Sequence, residues 1–567
     1  MNKVDIALDA VNGWGRYNRL IYTLLSIPAV FTGIGGVVFV WAGFSMDFRC
    51  FVPNCDSTNS TENIYNSTHT VFTIPALKPG RSRDQCHRYT AVGSGVNDLC
   101  SPSHFSTERT EPCTEYVYDS SIMLDSVMSQ FDLVCERNWL LTLTNTVYMV
   151  GMLVGSFLIG TFSDRFGRKK AMIISFLLIG VTGAATPFAP NLATLVVLRF
   201  FTGIGSVGNF MSLFVLALEL VSTRVRTWCG LIIEIPFAMG ISLVGVVAIY
   251  VNKWQHLQFI VLAPALIFLA YALFIPESPR WLVGTGRTEE GILVLKKMAK
   301  YNGTELPQDA ASGLTLSADS LEKPEPEREP ENSDLVHPST AGLGLLFSTR
   351  TLCNRITIMA YQWLVVSMVF YGLAMNSANL YGDVHTNFIL VNLIDLPSVL
   401  LTILALDVLG RRLCCFIAFT LAGIGCVAAG IFATAGYHTT TVAMSMVGKF
   451  GAAAAFNIVF VYGAELFPTA VRNTGIGLTS ASARVGSIIA PIVSHMGADN
   501  QLFVGMVFGV PALVAAVLNV LLPETCGSHL PQTIQQAENI GREMKWYDVP
   551  FLVEKRQKKS SKKEAAI

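Results

Sequence analysis

The segment Gly160-Thr161-Phe162-Ser163-Asp164-Arg165-Phe166-Gly167-Arg168-Lys169-Lys170 restricts the folds open to this chain more than any other stretch. A membrane-length apolar run, Leu141 to Ile159, precedes it, and another, Ala171 to Pro187, follows. Two such runs joined by a short, strongly basic turn read as two transmembrane helices. Lys and Arg accumulate in cytoplasmic loops, so the turn is expected inside the cell. Its glycines let the turn be tight. Asp164 is placed to cap the next helix or to pair with a nearby Arg.

The rest of the chain has the composition such a turn implies. Hydrophobic residues make up 51% and charged residues 14%, with mean hydropathy +0.48, whereas a soluble protein carries about 25% charged residues. The formal net charge is zero, so no nucleic-acid partner is indicated. The 567 residues suit a dozen helices of ~20 residues each with loops, an all-α membrane protein. The first apolar run, Leu20 to Phe44, is long enough to span and lacks a short apolar core with a cleavage site, so no cleavable signal peptide is expected.

Residues 1–16 read as a polar cytoplasmic lead. The first span follows, with Gly33, Gly35 and Gly36 permitting close helix contact. The polar segment 46–138 holds six of the 12 cysteines, Cys50, Cys55, Cys86, Cys100, Cys113 and Cys135, and two glycosylation sequons at Asn59 and Asn66. An even cysteine count beside sequons predicts an extracellular loop stapled by disulfides, whose pairing the sequence does not choose. A third sequon, at Asn302, falls on the cytoplasmic side and is expected to stay unmodified. Spans two to six are predicted at 141–162, 171–188, 193–218, 228–250 and 257–275, completing an N-terminal half over 17–285. Residues 286–350 read as a cytoplasmic linker, with a short basic helix over 287–300 and a Pro/Glu tract, Glu322 to Glu331, that cannot bury enough apolar surface to fold. Spans seven to twelve, at 355–375, 383–407, 412–434, 441–463, 471–496 and 502–522, fill a C-terminal half over 351–523. The tail 524–567, with Lys555, Arg556, Lys558, Lys559, Lys562 and Lys563, is a basic cytoplasmic terminus. Both termini are therefore expected in the cytoplasm of a multi-pass protein, with the plasma membrane as its site.

The two halves repeat. Asp164 corresponds to Asp407, Glu219 and Arg226 to Glu465 and Arg472, and Glu277 to Glu524, all at offsets between 243 and 247 residues. The basic turn itself recurs in degenerate form as Asp407-Val408-Leu409-Gly410-Arg411-Arg412. In spacing (Gly, three residues, Asp, Arg, one residue, Gly, Arg, Lys) it resembles the signature loop between helices two and three of the major facilitator superfamily. That resemblance implies two pseudo-symmetric six-helix halves with a substrate site between them near the midplane.

A large cysteine-rich, glycosylated loop after the first span is a hallmark of one branch of that superfamily, the organic ion transporters. This chain resembles that family along nearly its whole length, including Pro276 to Leu282, Tyr371-Gly372-Leu373, Asn379-Leu380-x-Gly382-Asp383, and Ala464-Glu465-Leu466-Phe467-Pro468-Thr469-x-x-Arg472-Asn473. The family carries organic cations, carnitine-like zwitterions or organic anions by alternating access. In its cation branch the position matching Arg484 is typically Asp, that of Val366 acidic and that of Val207 Lys. In its anion branch the position of Val399 is typically Lys. The chain thus lacks both patterns, and Asn379 to Asp383 most resembles the carnitine-type branch. The resemblance implies organic cations or carnitine-like zwitterions, with organic anions as the alternative. A coupling ion, sodium or proton, is left open. A non-transporting receptor on the same fold would be expected to lose the intramembrane charges or the gate motifs, and both are present. No metal-ligand cluster, nucleophile elbow, nucleotide loop or pore-lining repeat is visible, so no enzyme, cofactor, metal or channel is expected.

Site residues are sought where charge is costly: a charged side chain at mid-bilayer costs about 2.5–3.5 kcal/mol and so faces a cavity or a partner. Arg484 lies twelve residues beyond Arg472, about 18 Å along the helix, and Asp395 is as far from Asp407. Either the two form a structural ion pair, or they bind a charged substrate, Arg484 taking a carboxylate and Asp395 a cation. Pro397 should loosen the helix beside Asp395. Glu234, about 12 Å deep, faces the other half if the symmetry holds. Tyr371 and Trp363 could wall a cation site, and Asn376 and Asn379 either bond a substrate or cap span seven. Lys449 and Arg199 read as packing or gating residues, structure favoured. Asp164, Arg165, Arg168, Glu219, Arg226, Asp407, Glu465 and Arg472 lie at cytoplasmic helix ends and read as gate ion pairs, with Glu219 set beside Arg226 and Glu465 beside Arg472.

Overall fold

A computed structural model describes residues 3–53, 55–57, 65–75, 84–91, 100–314, 347–468, 471–497, 500–526, 531 and 534–540. Asn59, the Pro/Glu tract and the basic tail lie outside these residues. Among the described residues, 12 helices are long and apolar enough to cross a membrane. Arg16–Ala42, Cys135–Phe166, Arg168–Phe188, Leu192–Glu219, Arg226–Tyr250 and Trp254–Phe274 form the N-terminal half; Arg350–Asn379, Val384–Leu409, Arg411–Thr434, His438–Leu466, Thr474–Met496 and Gln501–Asn519 form the C-terminal half. They are numbered here as spans 1 to 12.

Short polar side chains set where several spans start. Asn191 accepts from the Thr194 N–H, Thr349 from Leu352, Asp383 from Thr386 and Asn500 from Phe503. The halves pack alike: span 1 on 5 as 7 on 11, span 2 on 4 as 8 on 10, span 3 on 4 as 9 on 10, and span 3 on 6 as 9 on 12. Small residues permit this closeness. A Cβ on Gly203 would sit 2.2 Å from the Tyr148 carbonyl oxygen, and one on Gly486 2.1 Å from that of Leu364. The halves meet where span 2 contacts span 11 and span 5 contacts span 8, themselves a symmetric pair of contacts.

Span 2 runs farther than expected, to Phe166, and takes Asp164 into its last turn, so Asp164 does not cap span 3. The turn to span 3 is made by Gly167 alone, at φ +113°, and Gly410, at φ +85°, turns span 8 into span 9. The lead over residues 1–16 also differs from expectation. Lys3–Ala10 is a helix whose Val4, Ala7 and Leu8 are buried, as is Val11 just beyond its end, an i, i+3, i+4, i+7 stripe that gives it an apolar face to dock. They pack with Leu295, Met298 and Ala299 of the helix Thr288–Asn302. The Asn302 side chain is consumed there, donating to the Val11 and Asn12 carbonyls and to Asn18 Oδ1 and accepting from the Tyr17 N–H.

The loop after span 1 is a small folded unit. Phe48–Cys50 pairs antiparallel with Tyr116–Tyr118, and His87–Ala91 with Phe105–Pro112. Disulfides join Cys50 to Cys113, Cys55 to Cys100 and Cys86 to Cys135, with Cα separations of 5.6, 4.9 and 5.8 Å. Arg49 grips Asp56 at 2.7 and 2.8 Å, and His69 Nε2 lies 3.2 Å from the same carboxylate. Trp254 Nε1 donates to Gln130 Oε1 at 2.9 Å, anchoring the unit on span 6.

Candidate functional site

A cavity of about 350 Å³ lies between the halves. Spans 1, 2, 4 and 5 supply Thr32, Met152, Phe210, Phe214, Glu234 and Phe237 to its wall, and spans 7, 10 and 11 supply Tyr371, Phe456, Phe460, Ser480 and Arg484. Seven aromatic rings, Phe157 of span 2 among them, and few polar atoms make the wall apolar, and Glu234 and Arg484 are its two ionic side chains.

Glu234 owes its position to a broken helix. Pro236, two residues later, has no N–H for the Ile232 carbonyl, and span 5 divides there into Arg226–Ile232 and Glu234–Tyr250. Span 8 breaks in the same way: Asp395-Leu396-Pro397 divides Val384–Leu393 from Asp395–Leu409. Both carboxylates thus open a helical segment, at the positive end of its dipole. Spans 5 and 8 touch, and Glu234 and Asp395 share a second, much smaller void of about 20 Å³ with Phe237, Phe370, Phe456 and Asn457. The Pro397 break was legible in the sequence; its counterpart at Pro236 carries the same acid-x-Pro signal.

Several expectations are corrected. Asp395 does not pair with Arg484 and does not line the larger cavity. Lys449 of span 10 takes it, Nζ to Oδ2 at 3.3 Å, while the same ammonium donates to the Phe370 carbonyl at 3.2 Å and lies 3.2 Å from the Phe370 ring centroid. Span 10 packs against span 8 and brings Lys449 to Asp395, whereas Arg484 on span 11 turns toward Tyr371 and the cavity. Trp363 stands behind the wall, edge-on to Phe460 at 4.4 Å and Phe456 at 5.9 Å. Asn376 and Asn379 are not at the cavity: Asn376 donates to Gln501 Oε1 at 2.9 Å and accepts from Asn379 at 3.3 Å, tying the end of span 7 to the start of span 12. Arg199 is fully buried between the rings of Phe39 and Tyr148, 4.6 and 4.5 Å from their centroids, and bonds Asn145.

The charged residues at the linker face form one cluster per half, each centred on an Arg at the start of a span. Arg168 meets Asp164 at 2.5 Å and Glu219 at 3.4 Å; Arg411 meets Glu465 at 3.0 Å and Asp407 at 3.7 Å. Glu277 accepts from the N–H groups of Arg168 and Lys169 at 3.0 and 3.1 Å, and Glu524 from those of Arg411 and Arg412 at 2.9 and 3.0 Å. Each thereby caps a helix N-terminus with a carboxylate. The expected pairs Glu219–Arg226 and Glu465–Arg472 are not the ones formed. Arg226 lies with Asp5 at 3.3 Å and the Leu218 carbonyl, and Arg472 donates to the Phe467 carbonyl at 3.2 Å. Both turn back onto the end of the preceding span, which leaves the glutamates to Arg168 and Arg411. Arg165 lies over the Phe166 ring, with no ion pair among the described residues. Arg411, Glu277 and Glu524 complete the clusters and were absent from the predicted gate; the repeat offsets were the signal for the two glutamates.

On the opposite face the halves are shut. Trp41 of span 1 stacks on His385 of span 8 at 4.4 Å and meets Phe388 edge-on at 5.5 Å. On the linker face, no ion pair among the described residues joins the halves, and the cavity reaches toward it through Phe214, Val215, Ile476 and Gly477.

Twelve spans in two repeated halves, closed on one face above a charged cavity, define a carrier of the major facilitator superfamily. Among the described residues, no group of three His, Cys, Asp or Glu could hold a metal ion. Residues 91–536 match the family described as "Sugar (and other) transporter". The chain is 31% identical to the "Organic cation transporter-like protein" of Drosophila melanogaster, covering 95% of this chain and 93% of the relative. It is 32% identical to the "Organic cation/carnitine transporter 2" of Rattus norvegicus, covering 96% of each. It is 31% identical to "Solute carrier family 22 member 3" of Mus musculus, over 95% and 96%. The chain belongs to the organic ion transporter family of the superfamily. In fold it is similar to the partially occluded, inward-open xylose transporter XylE of E. coli, with TM-score 0.60 at 17% identity over 91% of this chain and all of that one.

Proposed function

We propose that the protein carries small organic ions, organic cations or carnitine-like zwitterions first and organic anions second, by alternating access. One observation carries this reading: Glu234 and Arg484 line a single aromatic cavity between the halves, and neither has an ionic partner in the protein among the described residues. About 350 Å³ lies in the range of small-molecule sites. A quaternary ammonium group is attracted to the faces of Tyr371 and the phenylalanines and balanced by Glu234. A carboxylate on the same molecule is met by Arg484, which can bond it in bidentate fashion. The relatives named as organic cation and organic cation/carnitine transporters support the same class. Arg484 and the absence of a second cavity carboxylate favour an anion as the second reading.

In this scheme the Arg168 and Arg411 clusters are the gate: by holding helix ends within each half, they set the preference between inward- and outward-facing states. A coupling ion, sodium or proton, would act at the small void between Glu234 and Asp395, where about 20 Å³ suits one such particle or a water. We place residues 1–16, 286–350 and 524–567 in the cytoplasm, the two halves at 17–285 and 351–523, and the disulfide unit, with glycans at Asn59 and Asn66, outside the plasma membrane. Asn66 is exposed, as a glycan requires.

Uptake of a labelled quaternary ammonium, carnitine and an aryl carboxylate by the expressed protein, with sodium, without it, and across a pH gradient, tests the proposal. Saturable uptake of the first two above that of the third supports it, and uptake of none of them by protein shown to be at the cell surface overturns it.

A further inference from the structure

We propose that the linker face carries a binding site for the phosphate headgroup of an anionic membrane phospholipid, in the groove between the start of span 7, the end of span 12 and the helix Ile534–Asn539. The groove, about 690 Å³, divides into two chemistries. Ile358, Leu518, Val520, Leu521 and Pro523 form an apolar wall, and Leu521 is 71% exposed on the side where span 12 would meet lipid. Thr351, Asn354, Arg355 and Arg412 form the other wall. An acyl chain against the first wall places a headgroup against the second.

The two guanidinium groups are not used up by acidic partners. Arg355 is buried and donates to the Ala537 carbonyl. Arg412 Nη2 is buried with no hydrogen-bond partner. One carboxylate, Glu538, stands near Arg355 on the rim and offsets part of its charge, so the phosphate sits toward Arg412. Basic pockets between helix ends at the membrane surface attract anionic headgroups in this way. The site also reaches the gate: the Arg412 N–H is held by Glu524, and its neighbour Arg411 holds Glu465. A headgroup drawing on Arg412 therefore acts on the turn that organises the C-terminal cluster.

The test uses the full-length protein in bilayer nanodiscs of phosphatidylcholine with a minor fraction of phosphatidylserine, followed by release and native mass spectrometry of retained lipid. Two arginines, each worth at most roughly fivefold, predict a preference of up to about twenty-five-fold for the anionic lipid. Arg412→Gln should lose about fivefold of it at unchanged thermal stability, and Arg412→Lys should keep most of it. Thr357→Trp, which blocks the groove from its exposed side, should lower retention too and covers the case in which Arg412→Gln does not fold. Equal retention of both lipids by the wild type, or an unchanged preference in folded Arg412→Gln and Thr357→Trp, overturns the proposal. Equal stabilisation by inorganic phosphate without lipid would also overturn it, as a free-phosphate site.

Discussion

Asp395 and Lys449 bury opposite charges 3.3 Å apart, away from the larger cavity. Removing one member of such a pair strands the other in a medium that cannot solvate it, at about 3–5 kcal/mol, while replacing both by apolar groups of similar volume can be neutral. Lys449→Met should therefore lower the thermal stability of the purified protein sharply, and Asp395→Leu in the same chain should restore most of it, a coupling that a double-mutant cycle measures. Arg484→Met should show no such coupling to Asp395. Full stability in Lys449→Met alone would contradict the pairing. The depth of Asp395 and Arg484 in their spans was legible because both lie at a fixed distance from a charged helix end. Their partners were not, since the azimuth of a side chain depends on which neighbouring span packs beside it. Lys449 on span 10 decided the matter.

At the scale of elements, the two clusters give the proposed gate a centre in each half. Arg168→Ala and Arg411→Ala each break contacts to two carboxylates and should slow maximal uptake strongly at matched surface amount. Arg226→Ala and Arg472→Ala, which break other contacts, should slow it less. The reverse order would show that the pairs the chain order suggests are the ones that act during transport. Spans, turns and the repeat were readable because membrane helices are long, apolar and bounded by charge. The docked helix Lys3–Ala10 was not, because eight residues of mixed polarity show their apolar stripe only once a surface exists to receive it.

The disulfide unit offers a second test at this scale. Burial alone would raise the Asp56 carboxyl, but the Arg49 contact, the Val52 N–H and His69 overcome it and hold the group below its ordinary range. Burial first, and Arg49 after it, holds the His69 imidazole below its ordinary range against the pull of Asp56. Both groups bind fewer protons folded than unfolded, so both contribute stability that is present at high pH and lost on acidification. The His69 part is full above about pH 6.5 and fades as pH falls through its lower folded value; the Asp56 part is full above about pH 3.9 and fades below it. Limited proteolysis of the unit should accelerate in two steps as pH drops. His69→Gln should remove the first step alone, and a rate independent of pH between 7 and 4 would contradict the account.

The molecule as a whole is shut on one face by Trp41, His385 and Phe388, and its cavity extends toward the other. The central claim is that Glu234 and Arg484 divide a zwitterion's charges between the two halves across that cavity. Its most direct test is saturable uptake of carnitine, a simple quaternary ammonium and an aryl carboxylate by wild type, Glu234→Gln, Arg484→Gln and the double variant, each corrected for surface amount. A charge-assisted hydrogen bond contributes about 1.5–3 kcal/mol, a factor of roughly ten to a hundred. The account predicts that Arg484→Gln lowers carnitine uptake efficiency by that factor and leaves the quaternary ammonium equal or improved. It predicts that Glu234→Gln lowers both cationic substrates and spares the carboxylate. Equal losses for all three substrates in both single variants would contradict it and leave the two residues as structural supports of the cavity.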